Sequence, residues 1–213
     1  MQTPLEQTNP TQSVSVLPPE NNSSRRVTFE EYLAMGEAAY EWVDGEIIQM
    51  AASSYFHEEL FGFLFNVLRS YTQKHNLGKV LGSRFAMRLE MLRRGREPDI
   101  LFVANENLSK IKPTFLDGGA DMAVEIVSPE SFGRGRGEKF LEYEAAGIKE
   151  YWLIDYERKQ AEFYRLDQNG RYQLSAIENG IYQSEIVRDF WLKIEWLWTL
   201  PNELEVLKEL KVI

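Results

Sequence analysis

Between Ser53 or Ser54 and His75 the apolar residues Leu60, Phe61, Leu64, Phe65, Leu68 and Tyr71 recur at helical spacing, which predicts one long amphipathic helix. Gly78 is expected to end it. Upstream, Thr28-Phe-Glu-Glu31 has the spacing of a capping box, in which Thr28 caps a helix start and Glu31 returns the bond; a helix of roughly three turns should follow. Between these helices, Glu41-Trp-Val-Asp-Gly-Glu-Ile-Ile-Gln-Met50 reads as two short strands around an Asp44-Gly45 hairpin turn.

Three strand-like runs come next, at 79–89, 99–104 and 122–128. The last two are almost continuously apolar, the pattern of central strands covered on both faces. A helix from about 138 to 146 should stop at Gly147. Strands at 150–156 and 161–166 follow, with Asp167-Gln-Asn-Gly170 turning into another at 172–176. A strand at 185–193 precedes a Trp-rich segment and a charged stretch. The economical architecture is α/β (α+β), a mixed central sheet flanked by the long helix and the helix at 138. Residues 1–26 hold four of the eight prolines (Pro4, Pro10, Pro18, Pro19) and no aromatic residue. They are expected to be a disordered or loosely packed tail, with a single domain over 27–213.

Composition narrows the chemistry. The 213 residues are 44% hydrophobic and 13% aromatic, enough to bury a core and exclude wholesale disorder. The absence of cysteine removes disulfides, thiolate zinc, iron–sulfur clusters and a cysteine nucleophile. With only His57 and His75, imidazole-rich zinc sites are also unexpected. Without a long apolar run or a basic-then-apolar leader, the expectation is a soluble, cytoplasmic protein with no membrane partner. The net charge of −9 argues against binding nucleic acid through a general positive field. Locally, Arg84, Arg88, Arg93, Arg94 and Arg96 stand with one acid, Glu90, and Arg134 and Arg136 form a second basic spot. On charge alone both read as solvated loops and strand ends.

Glu125 is the most informative residue, because Met122-Ala-Val-Glu-Ile-Val127 surrounds it with apolar neighbours. A carboxylate in a central strand leaves bulk water and needs a metal, a cation or a hydrogen-bond network. Asp99 opens the preceding apolar strand, at a strand mouth where it can meet Glu125. Two such acids are hard oxygen ligands suited to Mg²⁺ or Mn²⁺. Lys139 and Tyr143, four positions apart, share a helix face. Two carboxylates, a lysine and a metal would support phosphodiester hydrolysis. Alternatively, Glu125 and Lys139 form a buried structural ion pair. Gly133-Arg-Gly-Arg-Gly137 lies where a phosphate cradle would, but Phe140 stands where a Walker-type site needs Ser or Thr. No Gly-x-Ser-x-Gly elbow is present. His57 reads as a capping or packing histidine, and Trp191, Trp196 and Trp198 as plugs of a core edge or a dimer contact.

Pro98-Asp99, Val124-Glu-Ile-Val-Ser-Pro129, Lys139-x-x-x-Tyr143 and Gly147-Ile-Lys-Glu-Tyr-Trp-Leu-Ile-Asp155 occur in this order, after Tyr40-Glu-Trp-Val-Asp-Gly-Glu-Ile-Ile-Gln-Met50 and His57. Together they resemble the Uma-type family of restriction-endonuclease-like proteins, a domain of unknown function abundant in cyanobacteria. The resemblance spans about residues 27–200. It implies the PD-(D/E)XK nuclease fold, a mixed sheet flanked by helices, and a DNA substrate. Asp99 and Glu125 would be the metal ligands, with Mg²⁺ or Mn²⁺ as cofactor. The superfamily's usual lysine, two residues after the second acid, is Val127 here, so Lys139 would replace it. Tyr143 would be its aromatic partner and Glu41 an additional N-terminal acid. By analogy with restriction enzymes a homodimer is expected. A catalytically inactive nuclease-fold module binding nucleic acid or a protein partner is the alternative.

Overall fold

The computed structural model describes residues 26–36, 40–82, 84–127, 133 and 135–213. All but Arg26 of the expected tail, together with Arg134 and the Ser128-Pro-Glu-Ser131 turn, lie outside these residues.

Helix α1 (Phe29–Ala34) opens with the capping box: the Glu31 N–H donates to Thr28 Oγ1 at 3.1 Å, and the Thr28 N–H donates to Glu31 at 2.9 Å. It is shorter than three turns because Gly36, at φ 77°, leaves helical backbone just after the Met35 cap. Strands β1 (Tyr40–Val43) and β2 (Glu46–Gln49) form the expected hairpin around Asp44 and Gly45, both at positive φ.

The run at 79–89 is two strands in two sheets, not one. β3 (Gly78–Gly82) and β4 (Ala86–Leu89) are separated by a corner where Arg84 sits at φ 73°. β4 joins β5 (Arg94–Arg96) and β7 (Phe115–Asp117) in a five-stranded sheet of order β2-β1-β5-β4-β7; β6 (Ile100–Ala104) falls between them in sequence but belongs elsewhere. The six-stranded sheet has order β11-β10-β9-β8-β6-β3, adding β8 (Met122–Val127), β9 (Glu150–Asp155), β10 (Gln160–Leu166) and β11 (Tyr172–Leu174). Only β8 and β9 run parallel in it, so this sheet is mixed. The crossover between them carries a π-helical turn (Gly135–Lys139) leading into α3 (Phe140–Ala145), in place of one regular helix over 138–146.

Both faces of the six-stranded sheet are covered, as the unbroken apolar runs of β6 and β8 require. Ile100, Phe102, Val124, Ile126, Trp152 and Ile154 pack on the buried stripe of α2 (Tyr55–Lys74). On the opposite face, Leu101, Val103, Ala123, Val127, Tyr151 and Leu153 meet Met87, Leu89 and Leu116 of the second sheet and Tyr143 of α3. The five-stranded sheet therefore supplies much of the cover that a single-sheet architecture would assign to helices.

α2 does not stop at Gly78. His75 caps it, Asn76 takes the left-handed conformation at φ 51°, and the Leu77 N–H donates to Thr72 O at 2.9 Å, closing the helix as a Schellman turn. Gly78 has another role: a Cβ there would lie 2.2 Å from the Val103 carbonyl, so the β3–β6 pairing requires glycine. Near the end of the chain, the expected strand at 185–193 is confined to β13 (Trp191–Lys193), paired with β12 (Ile181–Gln183). Short helices α4 (Trp196–Thr199) and α5 (Glu203–Glu209) complete the α2 core, where Trp196 is buried. Among the described residues no helix is long and apolar enough to cross a membrane.

Candidate active site

The β6–β8 ladder pairs Ile100 with Val124. Asp99 immediately precedes β6, next to this pair, while Glu125 follows Val124 in β8 and so turns to the face away from α2. Asp99 Oδ2 accepts the Ile126 N–H at 2.6 Å, so the carboxylate closes the end of the ladder. Its other oxygen lies 3.1 Å from Nε2 of His57, whose own N–H donates to the cap residue Ser54 at the start of α2. His57 is thus both a capped first-turn residue and a direct partner of Asp99. Burial draws its pKa down, but the Asp99 and Glu58 carboxylates outweigh burial and raise it above the ordinary imidazole value.

Glu125 is 5% exposed, as is Lys139. Lys139 Nζ donates to both Glu125 carboxylate oxygens at 2.9 Å, and the Tyr143 O–H donates to Oε1 at 2.6 Å. Lys139 ends the π-helical turn and Tyr143 lies four positions on in α3, so one side of the crossover delivers both groups onto β8. On its other side Lys139 Nζ is 2.8 Å from Oε1 of Glu41, fully buried on β1. Four of the expected site residues, Glu41, Glu125, Lys139 and Tyr143, therefore form one contact chain. Asp99 adjoins it through β8.

Sequence reasoning missed the continuation of this chain. Arg96, on β5, donates to Glu41 Oε2 at 2.6 Å and grips Glu142 of α3 through Nε at 2.7 Å and Nη2 at 3.0 Å; Arg94 reaches the same Glu142 at 2.6 Å. Reading this arginine-rich stretch as solvated is corrected at Arg96, which is 1% exposed. The available signal was alternation: Arg94 and Arg96 point to one side of a strand whose intervening Gly95 faces Phe29 and Trp42.

The electrostatics follow from this packing. Burial, with Asp99 and Glu41 nearby, pushes Glu125 up to about 7 against the pull of Lys139. Burial also works against ionisation of Glu41, but Lys139 and Arg96 hold its pKa below the ordinary carboxylate value. Lys139 is kept protonated by the two carboxylates despite its burial. Burial and Glu125 hold Tyr143 well above the usual phenol range, so its O–H remains a donor.

The family model described as Uma2, "Putative restriction endonuclease", matches residues 29–195. The chain belongs to the Uma2 family. A crystal structure of a "putative nuclease belonging to DUF820" from Anabaena variabilis is similar, with a TM-score of 0.67 and 18% sequence identity. The match covers 81% of this chain and 98% of that one, and at this identity it establishes the shared fold. No curated protein matches.

In this Uma2-family chain the strand position two residues after the second acid is Val127, which faces the same side as Glu125 but joins the apolar core with Met87, Leu101 and Tyr143. The amine beside Glu125 comes instead from fourteen positions downstream. Of the Gly/Arg loop, the π-helical turn carries Arg136, which pairs with Glu162 at 2.5 Å.

Proposed function

We propose that this chain is a metal-dependent nuclease that hydrolyses phosphodiester bonds in DNA, with Asp99 and Glu125 holding Mg²⁺ or Mn²⁺. The observation that carries this reading is the Lys139 ammonium held against Glu125, with the Asp99 carboxylate on the N–H of the next residue of β8, Ile126. Among the described residues no group of three or more His, Cys, Asp or Glu side chains surrounds a metal position. Mg²⁺ does not require such a cage, because it commonly binds one or two carboxylates and fills its shell with waters and substrate phosphate oxygens. The two acids fit that kind of site.

A bound ion would polarise the phosphoryl oxygen and activate a water. The remaining work falls to the chain. Lys139, kept cationic by Glu41 and Glu125, stabilises negative charge building on the phosphoryl group. Tyr143 fixes the Glu125 carboxylate through its short hydrogen bond, and His57 with the Ile126 N–H orients Asp99. Arg96 and Glu142 hold Glu41 and the α3 crossover in register, acting as positioning residues. Cutting both strands of a duplex would call on two such centres, hence on a homodimer, which sedimentation would detect.

Purified protein incubated with Mn²⁺ and plasmid DNA should cut, and Glu125→Ala should not. Equal cutting by both would remove the assignment. One observation favours the rival reading of a non-catalytic nuclease-fold module: Lys139 is already engaged by two carboxylates, as in a purely structural cluster. Calorimetry separates the two, since that module would take up no Mn²⁺ in the millimolar range.

A further inference from the structure

Among the described residues, nine large apolar side chains are exposed, and most stand singly. Tyr55 and Phe56 differ: they are the two aromatic ones, they are adjacent, and they are 69% and 63% exposed. Their rings meet edge-on with centroids 5.5 Å apart. Phe56 also stacks on Tyr156, at 6.3 Å and 29° between planes, and the Tyr156 hydroxyl lies 2.8 Å from Ser54 Oγ. Tyr156 directly follows β9, so α2 and the turn after β9 jointly support the cluster.

The position matters as much as the exposure. Phe56 immediately precedes His57, whose ring contacts Asp99, and Tyr156 follows the strand that runs parallel to β8 and pairs with Glu125. The rings thus stand at the end of the central strand β9, next to the His57–Asp99 contact. With a chain charge of −9, a general phosphate-attracting field is weak, and affinity for a nucleic acid must come from another source. Stacking is that source: every base has a π-face, and base–aromatic stacking needs no net positive charge.

We infer that Tyr55 and Phe56, backed by Tyr156, form a stacking platform for unpaired bases, so that the adjoining site binds single-stranded DNA in preference to an intact duplex and engages a plasmid where its bases are unpaired. In an intact duplex the base faces are covered by their neighbours and offer the rings nothing to stack on. This inference rests on the nuclease reading for its choice of ligand.

The test uses the full chain with Ca²⁺ and a fluorescent DNA single strand of about 12 nucleotides, a length within the range that such platforms cover, compared with its duplex by anisotropy. The wild type should prefer the single strand. The double variant Tyr55→Ala/Phe56→Ala, at exposed positions and with an unchanged melting temperature, should bind it at least about tenfold more weakly. Tyr55→Trp/Phe56→Trp should retain binding. Equal affinity of wild type and alanine variant, or a preference for the duplex, would overturn the platform. Mn²⁺ calorimetry on the same variants keeps the two readings apart. Single-strand binding lost in the alanine variant without any Mn²⁺ binding supports the platform and defeats the nuclease. Mn²⁺ binding with ring-independent DNA affinity does the reverse.

Discussion

Lys139 and Glu125 meet as a buried ion pair, with the ammonium 2.9 Å from each carboxylate oxygen, although one lies on the crossover before α3 and the other in the middle of the central sheet. Glu41, brought from the second sheet, completes a carboxylate–ammonium–carboxylate sandwich. The lysine is what lets two acids be buried side by side: it holds Glu41 below the ordinary carboxylate value and offsets part of the rise that burial imposes on Glu125.

Replacing Lys139 with Met leaves Glu125 and Glu41 buried without the cation between them. Lys139→Met should cost about 3–5 kcal/mol, the usual penalty for breaking a buried pair, read as a lower urea midpoint at unchanged slope. Adding Glu125→Gln should recover part of that loss. A single variant as stable as the wild type would show that the pair carries no net weight in the fold.

Metal uptake should depend on pH through Glu125. Its carboxyl, pushed up to about 7, holds a proton that a divalent ion must displace. Mn²⁺ affinity should therefore climb from about pH 6 to about pH 7, by no more than about tenfold for one proton, and level off above. The stability contribution has the opposite trend. Because the folded-state pKa is raised, that contribution is fully present below the ordinary 4.5 and fades as pH rises to about 7. Calorimetry giving the same affinity across this window would contradict the placement of Glu125 in the ion's shell.

Away from the site, Asp121 ties the start of β8 to the end of β6. It accepts from the Ala104 N–H at 2.8 Å, from the Asn107 side-chain amide at 2.8 and 3.0 Å, and from Lys149 at 2.8 Å. Burial opposes its ionisation, but Lys149 and these hydrogen bonds hold its pKa below 3.8. A depressed carboxylate stabilises the fold above its ordinary pKa, and this contribution is lost as pH falls through the depressed value. Asp121→Ala should cost about 2–3 kcal/mol at neutral pH, since it leaves a buried N–H unpaired. In strong acid the variant and wild type should converge in chemical denaturation; a constant gap would locate the effect in packing rather than charge.

Two glycines should respond in opposite directions. Gly78→Ala drives a Cβ against the Val103 carbonyl and the Phe102 ring, and should lower stability by more than about 2 kcal/mol. Gly62→Ala, inside α2 with nothing within 4 Å of the added carbon, should raise it by about 0.5–1 kcal/mol. Thermal melts of the pair, measured side by side, check both the β3–β6 register and the packing around α2.

What was legible in the sequence was whatever depends on neighbours along the chain. The α1 capping box, the Asp44-Gly45 hairpin, the stripe of α2 and the doubly covered β6 and β8 follow from periodicity and local hydrogen bonding, and the solitary acid in β8 announced a buried charge needing a partner. Where α2 ends was harder, because Asn76 and Gly78 are both plausible stops and only the closeness of Val103 reveals why Gly78 is glycine. Tertiary structure alone decided the split of 79–89 between two sheets, the burial of Arg96 and the joining of Glu41 to Lys139. The reason is physical: pair energies between charges depend on separation and burial, and both are created by packing elements that lie far apart in the chain.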